Sequence, residues 1–539
     1  MGTVVDFCKR HKILTGIAAL PLVLVLALLI HARGPYHGYR ADAVKPEPGS
    51  AAEPGTLRAG VAKRDITPNL MLYDKFVDTN GNNKYDPEDG DYFEDTNQSG
   101  EVEAVWIAGF GNNRPAQGVH DPLWARAIAF ENNGVRVVMV TVDSIGIFHE
   151  KILEMRHMLN PALDVDHLMV SCLHDHEAPD TMGIWSVGLE KPYWRWDQRY
   201  MEQVQEAVVE AAEEAVSELE PAEAILAKVE AGPEGYMDDS RKPLVYDNVV
   251  RCARFVRPGT DETIATLVNW GNHPETLGGS NPLLTSDFSH YWREGVEKGV
   301  PDPHGVEGLG GMCLYFQGMV GGLMTQLHTD VPDRRDGTLH REDTFEKAQN
   351  LGENLAILTV NALRGEDAWK MESGQVALAA RTVFIKPKPL FGLGVFLGLV
   401  HPGWYWGKVR TEINAFRIGE IEMLTTPGEL YPEIGLGGIT APAGQDFPLE
   451  PVEVPPLITQ MNGGLKMIIG LANDELGYII PKSQWDVEPP YAYGRTKSPQ
   501  YGEENSFGPE VAPALHRASL EVLDALHQAC ESMVRTAKH

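Results

Sequence analysis

The sequence predicts an α/β protein in which mixed β-sheets are flanked by helices in one large domain, preceded by a single N-terminal transmembrane helix. From residue 61 onward, apolar strand-like runs alternate with amphipathic helical segments, which is typical of an α/β chain. No internal repeat or second linker divides this region, and a hydrophobic content of 43% is ample for a large core. The third observation is an apolar run near the N-terminus.

That apolar run, residues 13–30, contains no charged side chain and follows Lys9, Arg10 and Lys12. Its length is close to the ~20 residues that cross a bilayer, so we predict a signal anchor. A cleaved signal peptide is the alternative, although no small-x-small cleavage site follows. By the positive-inside rule the remainder is exported, giving a membrane-anchored protein with its main domain extracytoplasmic, periplasmic or at the cell surface. The predicted organisation is a cytoplasmic segment 1–12, a transmembrane segment 13–31, a Pro- and Ala-rich linker 32–56 and a domain 57–539.

The charge balance restricts the partners. The chain carries 76 acidic and 46 basic side chains, a formal net charge of −30. Phosphate binding needs clustered Lys and Arg, so we expect no nucleic-acid partner. No protein partner is evident from the sequence.

Several elements can be placed from local patterns. The turn Asn132, Asn133, Gly134 separates two apolar runs and predicts a β-hairpin. Helical spacing of apolar residues predicts helices over 204–219, 345–363 and 515–533.

Four strand-like runs end at polar residues. Because rigid strands hold the loop residues that follow them, ligands and catalytic groups often lie at such ends. The runs 167–172, 264–270, 418–424 and 467–471 lead to His174 and His176, to His273, to Glu429 and to Tyr478, respectively.

His174, His176, His273 and Glu429 form a candidate metal site. The first two histidines are two residues apart, so on extended backbone both can face the same site. Imidazole is the commonest zinc ligand, and a set of nitrogen and carboxylate ligands is typical of catalytic zinc, whose bound water has a pKa of ~7. Each signal is weak by itself, since isolated HxH pairs and turn glutamates usually bind no metal.

Four sequence motifs strengthen the interpretation of these residues as a metal site. Residues 59–68 (AGVAKRDITP) resemble the AGxxxxDITP opening of the neutral/alkaline, non-lysosomal ceramidase family. Residues 174–179 resemble its THTHSGP motif, 271–276 its HPTS-like segment, and 427–430 its PGEF segment. The motifs occur in the family's order, and the resemblance spans residues 57–539, the family's catalytic domain.

The resemblance implies a function and a set of roles. It implies hydrolysis of an N-acyl amide bond, with zinc held by His174, His273, Glu429 and Tyr478. His176 would contact substrate and protonate the leaving amine, which departs poorly as an anion. Arg241 would steady the substrate or the oxyanion, with Tyr478 also stabilising the transition state. The alternative for Arg241 is a surface arginine in a turn.

Two departures from the family bear on mechanism. Residues 316–322 (FQGMVGG) lack the serine of the family's FASSNxGD segment, which excludes a mechanism that needs that hydroxyl and leaves metal-activated water. The change of THTHSGP to LHDHEAP places Asp175 and Glu177 beside the metal ligands. We therefore expect a more acidic cavity mouth and a different substrate headgroup.

An acidic insertion at 74–103 predicts a structural calcium site. Oxygen-bearing side chains alternate around glycine, as in loops that wrap a hard cation. A solvated acidic loop is the alternative. The candidate ligands are Asp78, Asn80, Asn82, Asp86, Asp89, Asp95 and Asn97.

The apolar stretch 389–406 (PLFGLGVFLGLVHPGWYW) is too interrupted by glycine and proline to be a second spanning helix. It is either a buried core segment or a lipid-contacting loop, and in both cases it can form an acyl-chain wall.

The leading hypothesis is thus a zinc-dependent hydrolase of ceramide or a related lipid amide. One alternative keeps the metal site but changes the substrate to a non-lipid amide or ester. The other is a membrane-tethered binding protein whose catalytic function has decayed.

Overall fold

The computed structural model describes residues 25–47, 55–100, 102–185, 197–397 and 403–536. Within them, residues 25–33 form helix α1. The other helices are α2 (His149–Met158), α3 (Gln198–Ser217), α4 (Phe288–Lys298), α5 (Phe345–Arg364), α6 (Pro389–Phe396), α7 (Pro432–Leu436), α8 (Leu457–Gln460) and α9 (Val511–Thr536).

The strands are numbered in chain order. The first fourteen are β1 (Ala43–Lys45), β2 (Arg58–Asp65), β3 (Lys75–Val77), β4 (Tyr92–Glu94), β5 (Gly118–Val119), β6 (Trp124–Asn132), β7 (Val135–Val142), β8 (His167–Cys172), β9 (Glu220–Pro221), β10 (Glu223–Glu230), β11 (Asp238–Asp239), β12 (Val249–Val256), β13 (Thr263–Trp270) and β14 (Leu283–Leu284). The others are β15 (Gly299–Val300), β16 (Val306–Glu307), β17 (Met312–Gln317), β18 (Met324–Thr325), β19 (Val331–Pro332), β20 (Leu339–His340), β21 (Trp369–Lys370), β22 (Val376–Ile385), β23 (Trp404–Tyr405), β24 (Lys408–Ile418), β25 (Ile421–Thr425), β26 (Glu429–Leu430), β27 (Leu465–Ile469) and β28 (Tyr478–Ile479).

Three mixed sheets form the body of the protein. Their strand orders are β8-β7-β6-β2-β9, β17-β13-β12-β10-β21 and β1-β22-β24-β25-β27, with β23 paired to β24. Most neighbouring strands are antiparallel, but each sheet contains one parallel pair: β7 with β8, β13 with β17, and β25 with β27. The predicted mixed-sheet α/β architecture is therefore confirmed.

The three sheets share one core. Phe130, Phe255, Leu314, Phe416 and Met467, which come from all three sheets, are fully buried in a single apolar cluster. Helix α3 covers the outer face of the first sheet, α4 and α5 that of the second, and α9 that of the third. Because both faces are covered, central strands such as β7 carry almost only apolar residues.

The hairpin β6–β7 has a two-residue turn. Asn132 pairs with Val135, leaving Asn133 and Gly134 as the turn, with φ values of 56° and 71°. Positive φ at both positions is the requirement of a type I′ turn, whose twist matches that of the strands. The hairpin that the sequence predicts is confirmed.

The N-terminal region differs from the predicted organisation of a transmembrane segment followed by a free linker. The predicted transmembrane segment lies mostly outside the described residues, and no helix within them is long and apolar enough to span a bilayer. Part of the predicted linker packs on the third sheet, where β1 pairs with β22 in antiparallel fashion. Ala41 is buried beside this edge. An edge strand needs only one row of backbone hydrogen bonds, so its short, mixed sequence gives little signal.

Candidate metal centre and active site

Strand ends from all three sheets meet at one place. His174 and His176 follow β8 of the first sheet, His273 follows β13 of the second, and Glu429 follows β25 of the third. Strands β26 and β28 pair in parallel with Glu429 directly opposite Tyr478. Residues opposite each other on paired strands project to the same face, so both side chains point toward the histidines' side of the pair.

Two histidines converge on one carboxylate oxygen. Oε2 of Glu429 lies 3.1 Å from Nε2 of His273 and 3.5 Å from Nε2 of His174. The other ring nitrogens donate to backbone carbonyls: Nδ1 of His174 to Ile145 at 2.9 Å and Nδ1 of His273 to Met324 at 2.6 Å. These bonds set the tautomer and the ring orientation, leaving Nε2 of each ring for a metal ion.

His176 completes a group of three histidines. One ring nitrogen from each of His174, His176 and His273 lies within 4.8 Å of the others, the only such group of potential ligands among the described residues. Neither ring nitrogen of His176 has a hydrogen-bond partner there, although Nδ1 lies 3.2 Å from Oε2 of Glu275. A buried ring nitrogen without a partner is costly unless a metal ion or a bound substrate satisfies it. The donor set therefore fits a divalent cation of the zinc type.

The protonation of these rings also fits metal binding. Burial lowers the pKa of His174 to about 4 and that of His176 well below its usual value. Burial also acts to lower the pKa of His273, but the hydrogen bond to Glu429 and the charges of Glu275 and Glu429 raise it to about 9. Neutral imidazole is the metal-binding form, and a cation beside Glu429 would replace the proton that this carboxylate attracts.

His174 and His176 line a cavity of about 530 Å³ together with Glu429 and Tyr478, while His273 lies behind Glu429 and does not line it. Much of the remaining wall is apolar. Phe391 belongs to α6, so this residue of the apolar stretch 389–406 forms part of the wall, while residues 398–402 lie outside the described residues. The apolar lining residues are Ile145, Phe148, Met182, Ile184, Trp185, Phe391 and Phe507.

Asp175 and Glu177 do not line this cavity, and the expectation that they make its mouth more acidic is wrong. Both side chains are fully buried. Oε2 of Glu177 accepts hydrogen bonds from Arg114 at 2.7 Å and from Asn281 at 2.9 Å. The strand ends at Cys172, His174 has a φ of 63° and a turn begins at residue 176, so the regular alternation of a strand does not continue here, and both carboxylates pack away from the cavity wall.

Tyr478 lies close to the candidate ligands. Its side chain is buried, and burial together with the charge of Glu429 raises its pKa well above the usual value. The structure thus places it on the cavity wall beside Glu429.

Two other lining residues were not assigned from the sequence. Glu475 is buried, and its Oε1 accepts the backbone N–H of Gly477 at 2.8 Å. The ring of Tyr501 lies 5.9 Å from that of Tyr478. The acidic pair Asp474 and Glu475 just before Gly477 is a weak sequence indication that Glu475 belongs to the site. Tyr501 lies in an irregular loop, and no local sequence pattern indicates that it does.

Arg241 is buried and does not line this cavity. Its Nη1 and Nη2 donate to the two carboxylate oxygens of Glu503 at 2.9 and 2.7 Å, and Nη2 also donates to the carbonyl of Gln484 at 3.1 Å. The arginine thereby holds the loop that carries Tyr501. Its role toward an oxyanion stays a prediction.

The acidic insertion is exposed and contains the hairpin of β3 and β4. Oδ1 of Asp78 accepts the backbone N–H groups of Asn80 and Gly81, and Asp95 accepts those of Ser99 and Gly100. No three acidic or histidine side chains in its described part bring ligand atoms within 4.8 Å of one another. Calcium binding stays a prediction.

Two solved structures are similar to this one. The neutral ceramidase from Pseudomonas aeruginosa superposes with a TM-score of 0.61 at 17% identity, covering 88% of this chain and 75% of that chain. A ceramidase complexed with C2 superposes with a TM-score of 0.60 at 16% identity and the same coverage. No protein-family model and no curated protein sequence matches this chain.

The fold and the site together define an α/β protein with a histidine-rich candidate metal centre at the meeting point of three sheets. Its fold is that of neutral ceramidase. At this level of identity a shared fold does not establish a shared reaction, which depends on the residues of the site.

Proposed function

We propose that this protein is a zinc-dependent hydrolase that cleaves an N-acyl amide bond, in ceramide or a related lipid amide. The observation that carries the proposal is the convergence of Nε2 of His174 and His273 on Oε2 of Glu429, at 3.5 and 3.1 Å, beside an apolar-walled cavity. Polar reacting groups at an apolar cavity suit an amide that joins an acyl chain to a polar part.

Each residue of the site has its own role in the proposed reaction. His174, His273 and Glu429 hold the metal, with Tyr478 as a further ligand or a donor to the developing oxyanion. Zn²⁺ bound there would supply Lewis acidity toward the amide carbonyl and would lower the pKa of a water molecule. His176, which its lowered pKa keeps neutral and whose ring nitrogens have no hydrogen-bond partner among the described residues, would accept a proton from the attacking water and pass it to the leaving amine.

The same cavity supports the acyl part of the substrate. Phe391 and Phe507 pack edge to face at 5.2 Å and both line it. An acyl chain against these rings is removed from water, which contributes about 25 cal/mol per Å² of apolar surface.

The deciding experiment measures fatty-acid release from ceramide and from N-acyl amino acids, with and without a chelator. His273→Ala is the test variant and His304→Ala, an exposed histidine outside the cavity, is the matched control. We expect chelator-sensitive release that His273→Ala abolishes and His304→Ala leaves intact. Fatty-acid release that persists with the chelator and in His273→Ala would contradict the proposal. Cleavage of non-lipid amides alone would instead support the alternative, a metal-dependent hydrolase of non-lipid substrates.

We further propose that the protein is membrane-anchored, with its active site outside the cytoplasm and facing lipid. Helix α1 ends beside α6, since the ring of His31 lies 4.8 Å from that of Phe396. Both helices expose apolar side chains, and Phe391 of α6 lines the cavity. These exposed side chains are Val25, Leu26, Leu28, Leu29, Ile30, Leu390, Leu393 and Leu397.

Activity on substrate in vesicles tests this orientation. The double variant Leu390→Ser/Leu393→Ser should lose activity on vesicles but not on a monomeric short-chain substrate. Leu339→Ser, which alters an equally exposed leucine of β20, should change neither activity. Equal vesicle activity in all three proteins would contradict the membrane contact.

Calcium is proposed as a structural ion of the 74–103 insertion, since alternating oxygen side chains suit a hard cation. A rise in the thermal unfolding midpoint with Ca²⁺, reversed by a chelator and absent in Asp78→Asn, is the expected result. No rise would favour a solvated acidic loop.

A further inference from the structure

His176 differs from the other two histidines of the metal centre in the group that its Nδ1 faces. Nδ1 of His174 and Nδ1 of His273 donate to backbone carbonyls at 2.9 and 2.6 Å. Nδ1 of His176 instead lies 3.2 Å from Oε2 of Glu275, whose side chain is buried. Of these three described rings, that of His176 is thus the one whose Nδ1 faces a carboxylate.

The backbone keeps Glu275 beside His176. The N–H of His176 donates to the carbonyl of Pro274 at 2.9 Å, which joins the chain segments of the two residues directly. The carbonyl of Glu275 accepts the N–H of Gly278 at 3.1 Å, which closes a turn immediately after the glutamate. The distance between the carboxylate and the imidazole is therefore set by hydrogen-bonded backbone on both sides.

The contact also determines which ring nitrogen is left for chemistry. It lies within hydrogen-bond distance, but the Nδ1–H direction does not point at Oε2, so the bond is not formed in the structure. Hydrogen bonds between catalytic groups are often poorly aligned before substrate binds and tighten in the complex. His176 lines the 530 Å³ cavity and Glu275 does not. A proton on Nδ1 that is directed at Glu275 leaves Nε2 for a reacting group in the cavity.

Glu275 was not assigned a role from the sequence. It is the third residue of the segment 273–276 (HPET), which resembles the motif HPTS, and the motif has threonine at this position. A threonine hydroxyl carries no charge. The carboxylate beside His176 is therefore a departure of this chain from the motif.

We infer that Glu275 is a positioning residue that holds the proton of His176 on Nδ1 and so keeps Nε2 available to the reacting amide. The inference rests on the proposed hydrolysis. Nε2 accepts a proton from the attacking water as its oxygen bonds to the amide carbon, and passes that proton to the amine nitrogen as the C–N bond breaks. The Nδ1 proton stays on the ring throughout, and the products are a carboxylic acid and an amine. A carboxylate that accepts Nδ1–H is an established way to fix a catalytic histidine in one tautomer.

Glu275→Gln tests this role, because it keeps the size of the side chain and removes its charge. The two substrates share one acyl chain and are an alkyl amide and a 4-nitrophenyl ester, whose leaving group departs without a proton. We expect kcat to fall about 100-fold for the amide and less than about tenfold for the ester, with both KM values unchanged.

The matched control is Glu422→Gln. Glu422 is a second buried glutamate beside a histidine, with Oε1 3.0 Å from Nε2 of His527, and neither residue lines the cavity. This variant also loses the charge of a buried glutamate–histidine pair. It should leave the ratio of amide to ester kcat unchanged.

The tautomer of His176 gives a readout that does not depend on turnover. Long-range ¹⁵N–¹H spectra of the full-length protein labelled at histidine show which ring nitrogen carries the proton, and comparison with His176→Gln identifies the ring. We expect the proton on Nδ1 in the wild-type protein. In Glu275→Gln a substantial fraction should carry it on Nε2, because an amide can donate to Nδ1 as well as accept from it.

Three results would overturn the inference. They are equal kcat losses for the amide and the ester, no kcat loss in Glu275→Gln, or a proton on Nε2 in the wild-type protein. The affinity for Zn²⁺ should also stay nearly unchanged in Glu275→Gln. A loss of about 10- to 100-fold, as on removal of the partner of a metal ligand, would assign Glu275 to the metal centre instead.

Failure of the proposed hydrolysis is separately visible. In that case the wild-type protein cleaves no N-acyl amide, whereas the tautomer of His176 still shows whether Glu275 orients the ring. Amide cleavage with the proton on Nε2 would reject the role of Glu275 and leave the hydrolysis standing.

Discussion

Arg114 and Glu177 form a buried ion pair with Nη2 and Oε2 2.7 Å apart, and the two side chains are 2% and 0% exposed. Nη1 of Arg114 also donates to the carbonyls of His176 and Ala108 at 3.1 and 2.7 Å. One guanidinium thus joins the backbone of a candidate catalytic histidine to the loop that carries Gly109. The pair is part of the support behind the metal centre.

Glu177→Gln should destabilise the protein. It leaves the Arg114 charge buried without its counter-charge, a change that costs about 3–5 kcal/mol when one partner of a buried pair is lost. Denaturant unfolding followed by circular dichroism measures this loss. Glu262→Gln, which breaks the exposed 2.7 Å pair with Arg257, is the control and should leave the unfolding free energy nearly unchanged. Similar losses in both variants would contradict a special role for the buried pair.

Gly109→Ala should displace the ring of His176. Gly109 has a φ of 100°, and a Cβ there would lie 2.5 Å from Cγ of His176. A shift of about 1 Å in a catalytic group can lower the rate 100-fold, so we expect a kcat loss of that order in fatty-acid release. Gly111→Ala has nearly the same φ, 101°, with no atom within 4 Å of the added Cβ. It therefore controls for backbone strain, and an equal kcat loss there would show that displacement of His176 is not the cause.

Glu429→Gln should weaken metal binding at least about 100-fold, because it removes the negative charge on which Nε2 of His174 and of His273 converge. Loss of a residue that only hydrogen-bonds a metal ligand already lowers metal affinity about 10- to 100-fold. Competition for Zn²⁺ against a chromophoric chelator gives the dissociation constant. Glu433→Gln is the control, since Glu433 is buried four residues further along but does not line the cavity. Unchanged Zn²⁺ affinity in Glu429→Gln would remove Glu429 from the ligand set.

Phe391→Ala should weaken the binding of long acyl chains. Burial of a phenyl group contributes about 1.5–3 kcal/mol, which corresponds to a KM increase of at least tenfold for a long-chain amide and little change for the acetyl analogue. Steady-state kinetics with monomeric substrates measures both. Leu390→Ala alters the neighbouring side chain, which is 77% exposed, and should leave both KM values unchanged. A KM increase that is independent of chain length would show that Phe391 does not contact the acyl chain.

Elements with a local signal could be predicted from the amino-acid sequence. The turn Asn133, Gly134 needs positive φ, which these residue types adopt at little cost, so the position of the hairpin could be predicted to within one residue. The amphipathic spacing of α3, α5 and α9 reflects burial of one helix face. The ends of β8 and β13 could also be predicted, because in each case an apolar run in the sequence is followed within a few residues by histidine.

Which side chains share a site, and which face away from it, depends on how the three sheets pack and could not be predicted from local patterns. Glu177 pairs with Arg114, and Arg241 with Glu503, across 63 and 262 residues of sequence. Such pairs arise from the packing of three sheets around one core and leave no periodicity or local preference in the chain. The same packing turns Glu177 away from the cavity and brings Tyr501, from an irregular loop, to the cavity wall near Tyr478. Local backbone preference is encoded by neighbours in sequence, whereas the direction and partner of a buried charge depend on the long-range contacts that desolvate it.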